Sequence, residues 1–359
     1  MKNVANVRTV LVAVLITTGS AVAPAFGQGN AAPAHPNPVV YDSDMDFDDS
    51  ATLAYLCEEH KRGLVDLLAV TVDNNGMGKP GRALQHAHSV LNECGLPNVP
   101  VADGSNTIVH PAPASTVQHI ETILTAALGD GSVPPTVPSS SSAAQLITRT
   151  IAATPAKVTV LATGPLSNLA TALRDAGRTG RNRLADRIRG LYVMGGAISV
   201  RGNLFGRALD GFDNSQEFNM WLDPTSAKMV FHAMPSGVTH LVPLDATNDV
   251  PITPSFIDKL GADQQTVTAR LVYRIMTQPA MTKNITAGYY SWWDALAALS
   301  ALRNNTGIAH FQSRQITVVR GGVQSGRTEL SPSGACTLVA LAADQGLFER
   351  IFLNALNGR

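Results

Sequence analysis

Five carboxylates stand within eight residues: Asp42, Asp44, Asp46, Asp48 and Asp49, in the run Asp42-Ser43-Asp44-Met45-Asp46-Phe47-Asp48-Asp49. An apolar stretch, residues 38–41, leads straight into them. Like charges this close raise one another's pKa unless a cation sits among them. Asp is a favoured helix N-cap, but capping does not call for five acids at one strand end. Other apolar runs end in polar residues too: Asp73-Asn74-Asn75-Gly76, Thr163-Gly164-Pro165, Gly195-Gly196 and Asp245. Such a rim suits a hard cation with oxygen ligands and a polyhydroxylated partner. An EF-hand is excluded. Its sixth and twelfth positions, Gly and Glu, are Phe47 and Leu53 counted from Asp42, and Asp49 and Tyr55 counted from Asp44. A phosphatase with Asp42 as nucleophile and Asp44 as acid also starts from strand-Asp-x-Asp. That chemistry wants a Lys on a later strand, and no strand end here offers a convincing one.

The elements that must position these residues follow from the apolar pattern. Runs at 38–41, 65–72, 99–101, 158–162, 191–194 and 240–244 read as strands. Helical patterns at 50–60, 80–94, 142–153, 166–176 and 224–233 lie between them, and 294–302 and 343–356 follow. Short apolar runs alternating with helices predict an α/β fold: a single large domain with a mostly parallel central sheet flanked by helices. In such sheets ligands bind outside the carboxyl ends of the strands, where the acids and amides above would gather. No period of 20–50 residues repeats, which excludes a solenoid or propeller.

Composition narrows the function classes. Lys+Arg and Asp+Glu are both 27, so net charge is zero and a broad nucleic-acid footprint is not expected. Three cysteines, Cys57, Cys94 and Cys336, exclude a disulfide scaffold but leave room for one bridge. Residues 1–25 read as a secretory signal peptide. Lys2 and Arg8 form the basic part, residues 10–17 are apolar, and Ala23-Pro24-Ala25 is the cleavage site. Residues 26–38 read as a flexible entry and 39–357 as the catalytic domain. The expected location is secreted or periplasmic, with no membrane contact after signal cleavage.

Five blocks, in order, resemble one family. Asp42, Asp44, Asp48 and Asp49 form D-x-D-x-x-x-D-D, and Thr163 to Asn168 form a TGPLSN block. Met194-Gly195-Gly196-Ala197 is followed by Gly202-Asn203, Glu217-Phe218-Asn219 and Asp223-Pro224. Val242-Pro243-Leu244-Asp245 and Trp293-Asp294-Ala295 complete the series. The pattern is similar to that of the calcium-dependent nucleoside hydrolases, the inosine-uridine preferring nucleoside N-ribohydrolases, over almost all of residues 39–356. Met45-Asp46 replaces the family's Pro-Gly, leaving Asp46 without a role, and residues 204–216 form a longer loop.

The resemblance implies a Rossmann-like nucleoside hydrolase fold and a Ca²⁺ ion held by Asp44, Asp49, Asp294 and the backbone carbonyl of Thr163. It implies Asp44 as general base, with Asp48, Asn203, Glu217, Asn219, Asp294 and Asn75 binding the nucleoside. Some relatives place a His before the last Asp, where it protonates the leaving base. Trp293 stands there instead, which resembles members that stack an indole on a purine. His110 is a further candidate to touch the base. The implied reaction is hydrolysis of the N-glycosidic bond of a ribonucleoside, preferably a purine one, to base and ribose. A calcium-dependent ribonucleoside- or sugar-binding protein without turnover is the alternative. A homo-oligomer, dimer or tetramer, is also implied.

Overall fold

The computed structural model describes residues 35–104, 109–129, 141–178, 184–204, 211–303 and 306–359. The expected signal peptide and most of the expected entry segment lie outside them. Strands are β1 (Asn37–Ser43), β2 (Val65–Val72), β3 (Val101–Asp103), β4 (Val158–Ala162), β5 (Ile188–Met194), β6 (Thr239–Val242), β7 (Ala309–Val318), β8 (Thr328–Leu330) and β9 (Ala335–Ala343). Helices are α1 (Phe47–Lys61), α2 (Arg82–Glu93), α3 (Ala114–Leu128), α4 (Ala143–Ala153), α5 (Ser167–Arg178), α6 (Phe218–Leu222) and α7 (Pro224–Ala233). There follow α8 (Leu244–Thr247), α9 (Pro254–Ala262), α10 (Val267–Met276), α11 (Pro279–Thr286), α12 (Trp293–Leu302) and α13 (Gln345–Leu356).

The described strands form one sheet in the order β3-β2-β1-β4-β5-β6-β9-β7-β8. β1 pairs in parallel with both β2 and β4, so successive connections depart in opposite directions on either side of it. That switch point opens a crevice at the carboxyl ends of β1 and β4, where the acidic run and Thr163 emerge. β4 is buried along its whole length, as an interior parallel strand flanked by helices must be. Among the described strands, β7 runs opposite to the rest and pairs antiparallel with β9 and β8.

The sequence pattern places most of these elements. β3 begins two residues later than expected, after Pro100, whose carbonyl accepts from Val70 N at 3.0 Å. β6 stops at Val242 because Pro243 has no N–H to continue the ladder. β8, β9, α3, α6 and α8 to α11 fall outside the predicted elements, and the strand-like run at 316–319 marks only the end of β7.

Two helices carry the acids. Asp46 caps α1 in a reciprocal capping box with Asp49: its side chain accepts from Asp48 N and Asp49 N, and Asp49 Oδ2 accepts from Asp46 N. Asp46 thus gains a role that its place in the sequence left open. α12 starts without a cap of its own, and Asp48 Oδ2 accepts from Asp294 N at 3.2 Å. The far ends are locked as well. Buried Glu59 of α1 accepts from Arg62 Nη1 at 2.6 Å and from Arg303 Nη2, beyond α12, at 2.7 Å. Removing one member of a buried ion pair strands the other charges. Glu59→Ala is therefore expected to destabilise the protein by about 3 kcal/mol. A urea titration checks this, and an unchanged midpoint would mean the lock is idle.

Candidate active site

The pocket at the switch point has an acidic, hydrogen-bonding floor and an apolar wall. Asp44, Asp48, Thr163, Asn203, Glu217, Asn219 and Asp294 line the floor, joined by Asp46. Phe47, Tyr290, Trp293, Met77, Ile120 and Phe218 form most of the wall. No Lys or Arg is among the described lining residues.

Asp44 is hemmed in by neighbouring backbone. Its Oδ2 accepts from Met77 N at 2.6 Å. A Cβ at Gly76 would lie 2.1 Å from that oxygen, and one at Gly164 would lie 2.9 Å from Asp44 N. The two glycines after β2 and β4 are there because the Asp44 carboxylate and backbone occupy the space a side chain would need. Asp49 is fully buried beneath the floor. Its Oδ1 accepts from Tyr41 Oη at 2.8 Å and from Thr163 Oγ1 at 2.5 Å. Asp294 is 3% exposed, yet its carboxylate takes no hydrogen bond from any described residue. One oxygen each from Asp46, Asp48 and Asp294 lies within 4.8 Å of the others.

This arrangement is electrostatically costly. Burial, then repulsion from Asp49 and Asp46, pushes the Asp44 pKa well above the usual carboxylate range. Burial and the neighbouring acids do the same to Asp48 and Asp294. Asp46 is pushed up to about 6 by burial and Asp49. Behind the floor, Asp42 is pushed up to about 7, chiefly by burial, although Thr71 Oγ1 and Asn168 Nδ2 donate to it. Clustered hard oxygens, an unpartnered Asp294 and no cationic side chain among the described lining fit a divalent cation.

Polar groups on the far side of the floor have defined loads. Glu217 caps α6, accepting from Asn219 N at 2.9 Å and Met220 N at 3.1 Å, and it also accepts from Gly196 N at 2.9 Å. A carboxylate has about four acceptor sites, so roughly one remains for a ligand. Burial raises its pKa, and these backbone donors oppose the rise. Asn203 Oδ1 accepts from Phe218 N at 2.9 Å, and its Nδ2 donates to no described residue. Asn219 Nδ2 donates to the Thr163 carbonyl at 2.8 Å, while its Oδ1 accepts from none. Asp245 sits apart from the pocket and holds the loop after β5, accepting from Ile198 N and Ser199 N at 2.8 Å each.

The expected site residues therefore converge, with three differences of placement. Asp49 does not line the pocket, and both of its carboxylate oxygens already accept hydrogen bonds. Asn75 does not line the pocket, and its Nδ2 donates to Ser167 Oγ at 2.8 Å. His110 is drawn off by packing: it stacks on Trp221 at 5.1 Å, with Phe212 edge-on, and its Nε2 lies 2.9 Å from Ser325 Oγ. His119 lines the pocket without having been singled out, and Tyr290, which the sequence offers only as a candidate stacking partner for Trp293, lines it as well. His119 Nε2 lies 3.1 Å from Tyr290 Oη, to which Asn284 Nδ2 donates at 2.8 Å. Asn284 Nδ2 is also 3.3 Å from His119 Nε2. The signal for His119 was the apolar spacing of Val117, Ile120, Ile123, Leu124 and Ala127, which marks a helix and so turns residue 119 toward a neighbouring face.

Known proteins agree with this architecture. The family model described as inosine-uridine preferring nucleoside hydrolase matches residues 39–350. The chain belongs to that family, whose members hydrolyse N-glycosyl bonds. It is 29% identical over 199 residues to uridine nucleosidase 1 of Arabidopsis thaliana, covering 54% of this chain and 52% of that protein. It is 31% identical over 227 residues to the inosine-uridine preferring nucleoside hydrolase of Leishmania major, covering 61% and 64%. The chain thus spans between half and two thirds of the length of these two relatives. The fold matches the inosine-uridine preferring nucleoside hydrolase of Bacillus anthracis with a TM-score of 0.77 at 22% identity, over 90% of this chain and all of that one.

Two expectations follow from the geometry. Asp42 and Asp46 have folded-state pKa values of about 7 and about 6 against an ordinary 3.8, so the native state binds more protons than the unfolded chain between those values. Stability of the metal-free protein should then fall as pH rises from about 4 through 7, and a divalent cation should reduce the fall. Thermal melts across pH, with and without calcium, check this; a melting temperature that rises over that window contradicts it. Gly76→Ala should displace the Asp44 carboxylate and weaken cation binding by about tenfold or more while the chain still folds, since the clash is local. Calorimetric titration reads this, and wild-type affinity would mean the Gly76 contact does not position a cation ligand.

Proposed function

We propose that the protein is a nucleoside hydrolase that cleaves the N-glycosidic bond of ribonucleosides, with a preference for purines, to free base and ribose. The observation that carries this reading is the union, in one pocket, of a carboxylate-and-amide floor with an aromatic wall. The floor matches a sugar and its cation, and the wall matches a flat heterocycle. Asp44, Asp49, Asp294 and the Thr163 carbonyl would hold Ca²⁺, an all-oxygen set suited to that ion. When bound, the ion supplies positive charge that offsets the buried carboxylates and makes a nearby water more acidic.

The chain's own groups carry the remaining work. Asp44, pinned by Met77 N, takes the proton of the water that attacks C1′. Asp48, Asn203, Glu217, Asn219 and Asp294 grip the ribose hydroxyls. The open Nδ2 of Asn203 serves as donor, and the open Oδ1 of Asn219 and the free site on Glu217 serve as acceptors. Binding energy gathered on these hydroxyls lowers the barrier at C1′, where an oxocarbenium-like charge develops. Neighbouring carboxylates favour that positive charge. Trp293 offers its indole to the base, in a wall where Phe47 and Tyr290 ring centroids lie 6.2 and 6.0 Å from it. Residues 1–25 support export of the enzyme, with 39–357 as its catalytic domain.

Release of reducing sugar from inosine, adenosine, uridine and cytidine tests the reading, and binding without release would favour the sugar-binding alternative. Chelation should abolish release. Asp44→Asn should lower kcat by ~10²–10⁴-fold in protein shown to retain its metal. Near-normal turnover in that variant would remove Asp44 from the base role. Trp293→Ala should cost ~1–3 kcal/mol in kcat/KM for purine nucleosides, the worth of one stacked base, and less for uridine. Unchanged purine rates would defeat the stacking role.

A further inference from the structure

The proposed reaction leaves one demand unmet on this chain. The departing base takes the bonding electron pair and needs a proton, and Trp293, where some relatives carry His, has no acidic proton to give. Two described groups of the pocket wall carry one, Tyr290 and His119. We propose that Tyr290 is the catalytic residue that protonates the leaving purine, and that His119 and Asn284 are positioning residues that aim its hydroxyl.

Geometry carries this inference. Tyr290 lines the same pocket as Asp44, Asp294 and Trp293. Its ring is held on two sides, with Phe47 at 4.5 Å and Trp293 edge-on at 6.0 Å. Its hydroxyl is held by two nitrogens, His119 Nε2 at 3.1 Å and Asn284 Nδ2 at 2.8 Å. A phenol has two acceptor sites and one proton. The proposed role requires His119 with Nε2 protonated: His119 and Asn284 then fill both acceptor sites, the 3.3 Å approach of Asn284 Nδ2 to His119 Nε2 carries no hydrogen bond, and the phenolic proton is left for the pocket. His119 comes from α3 and Asn284 from α11, so two separate helices converge on one oxygen. His119 itself suits the donor role less well, since burial lowers its pKa and favours the neutral ring. Tyr290, pushed up to about 12 chiefly by burial, keeps its proton throughout the working range.

The step balances. Water oxygen bonds to C1′ and loses a proton to Asp44. The C1′–N bond breaks, its electron pair moves into the purine, and N7 takes the phenolic proton. The phenolate recovers a proton from solvent as the base departs.

The inference rests on the nucleoside hydrolase reading, and a pair of substrates separates the two. Inosine needs its leaving group protonated, whereas p-nitrophenyl β-D-riboside releases a stable anion. Tyr290→Phe should lower kcat/KM for inosine by ~10²-fold or more and leave the nitrophenyl riboside little changed. His119→Ala should lower the inosine value selectively as well, and His119→Gln, whose amide still donates a hydrogen bond, should recover much of it. Equal losses on both substrates would assign Tyr290 to wall packing and overturn the inference, as would full inosine activity in Tyr290→Phe. A wild-type protein inert toward both would overturn the nucleoside hydrolase reading and this inference with it.

Discussion

Repulsion among buried carboxylates is the constraint on which the rest of the structure turns. Asp44, Asp46, Asp48, Asp49 and Asp294 meet at the end of one strand and the starts of two helices, where burial and their mutual charge raise Asp44, Asp48 and Asp294 far above their usual range. A fold accepts such a cluster only if something offsets it. Part of the offset is local: Asp48, Asp49 and Asp294 lie in first helical turns, where the positive end of the helix favours anions. Hydrogen bonds from Met77 N, Tyr41 and Thr163 add more. Asp294 has no such partner among the described residues, and the balance falls to a cation. Devices remote from the pocket serve the same end. The Glu59–Arg303 pair joins the far end of α1 to the residue just beyond α12, so the two acid-bearing helix starts keep their spacing.

The site was legible in the sequence to the extent that its chemistry is local. Asp44, Asp48 and Asp49 belong to one run and Thr163 follows a strand end, so parallel topology brings them together, whereas Asn203, Glu217 and Asn219 were legible only through the family resemblance. Less legible were roles set by competition for a side chain's bonds. Glu217 looks like a sugar ligand by type, yet most of its acceptor sites go to the backbone of α6 and to Gly196. His110 stands in a rim loop, but Trp221 offers it a stacking surface. Asn75 is turned to Ser167. No spacing rule encodes such choices, because each depends on which partner lies nearer in the folded chain.

The fold followed the same division. Alternating apolar runs gave away the parallel half of the sheet, where each strand is buried on both faces. The β7–β9 ribbon was harder, since β7 is largely half-exposed and its outer residues are polar. α3 was missed although its apolar period is regular, and with it went His119. Its partners Tyr290 and Asn284 lie over 160 residues away, so only the fold could join them. The result is a pocket of two halves: charge and amides where a sugar and cation would sit, aromatic rings with one phenol where a base would leave.

The most direct test of this account is a crystal structure of the protein grown with calcium and ribose, with the ion located by anomalous scattering. The account predicts one dominant ion bounded by the carboxylates of Asp44, Asp49 and Asp294 and the Thr163 carbonyl, with ribose hydroxyls against Asp48, Asn203 and Asn219. An acidic floor holding neither ion nor sugar under those conditions, or a sugar bound elsewhere, would contradict it.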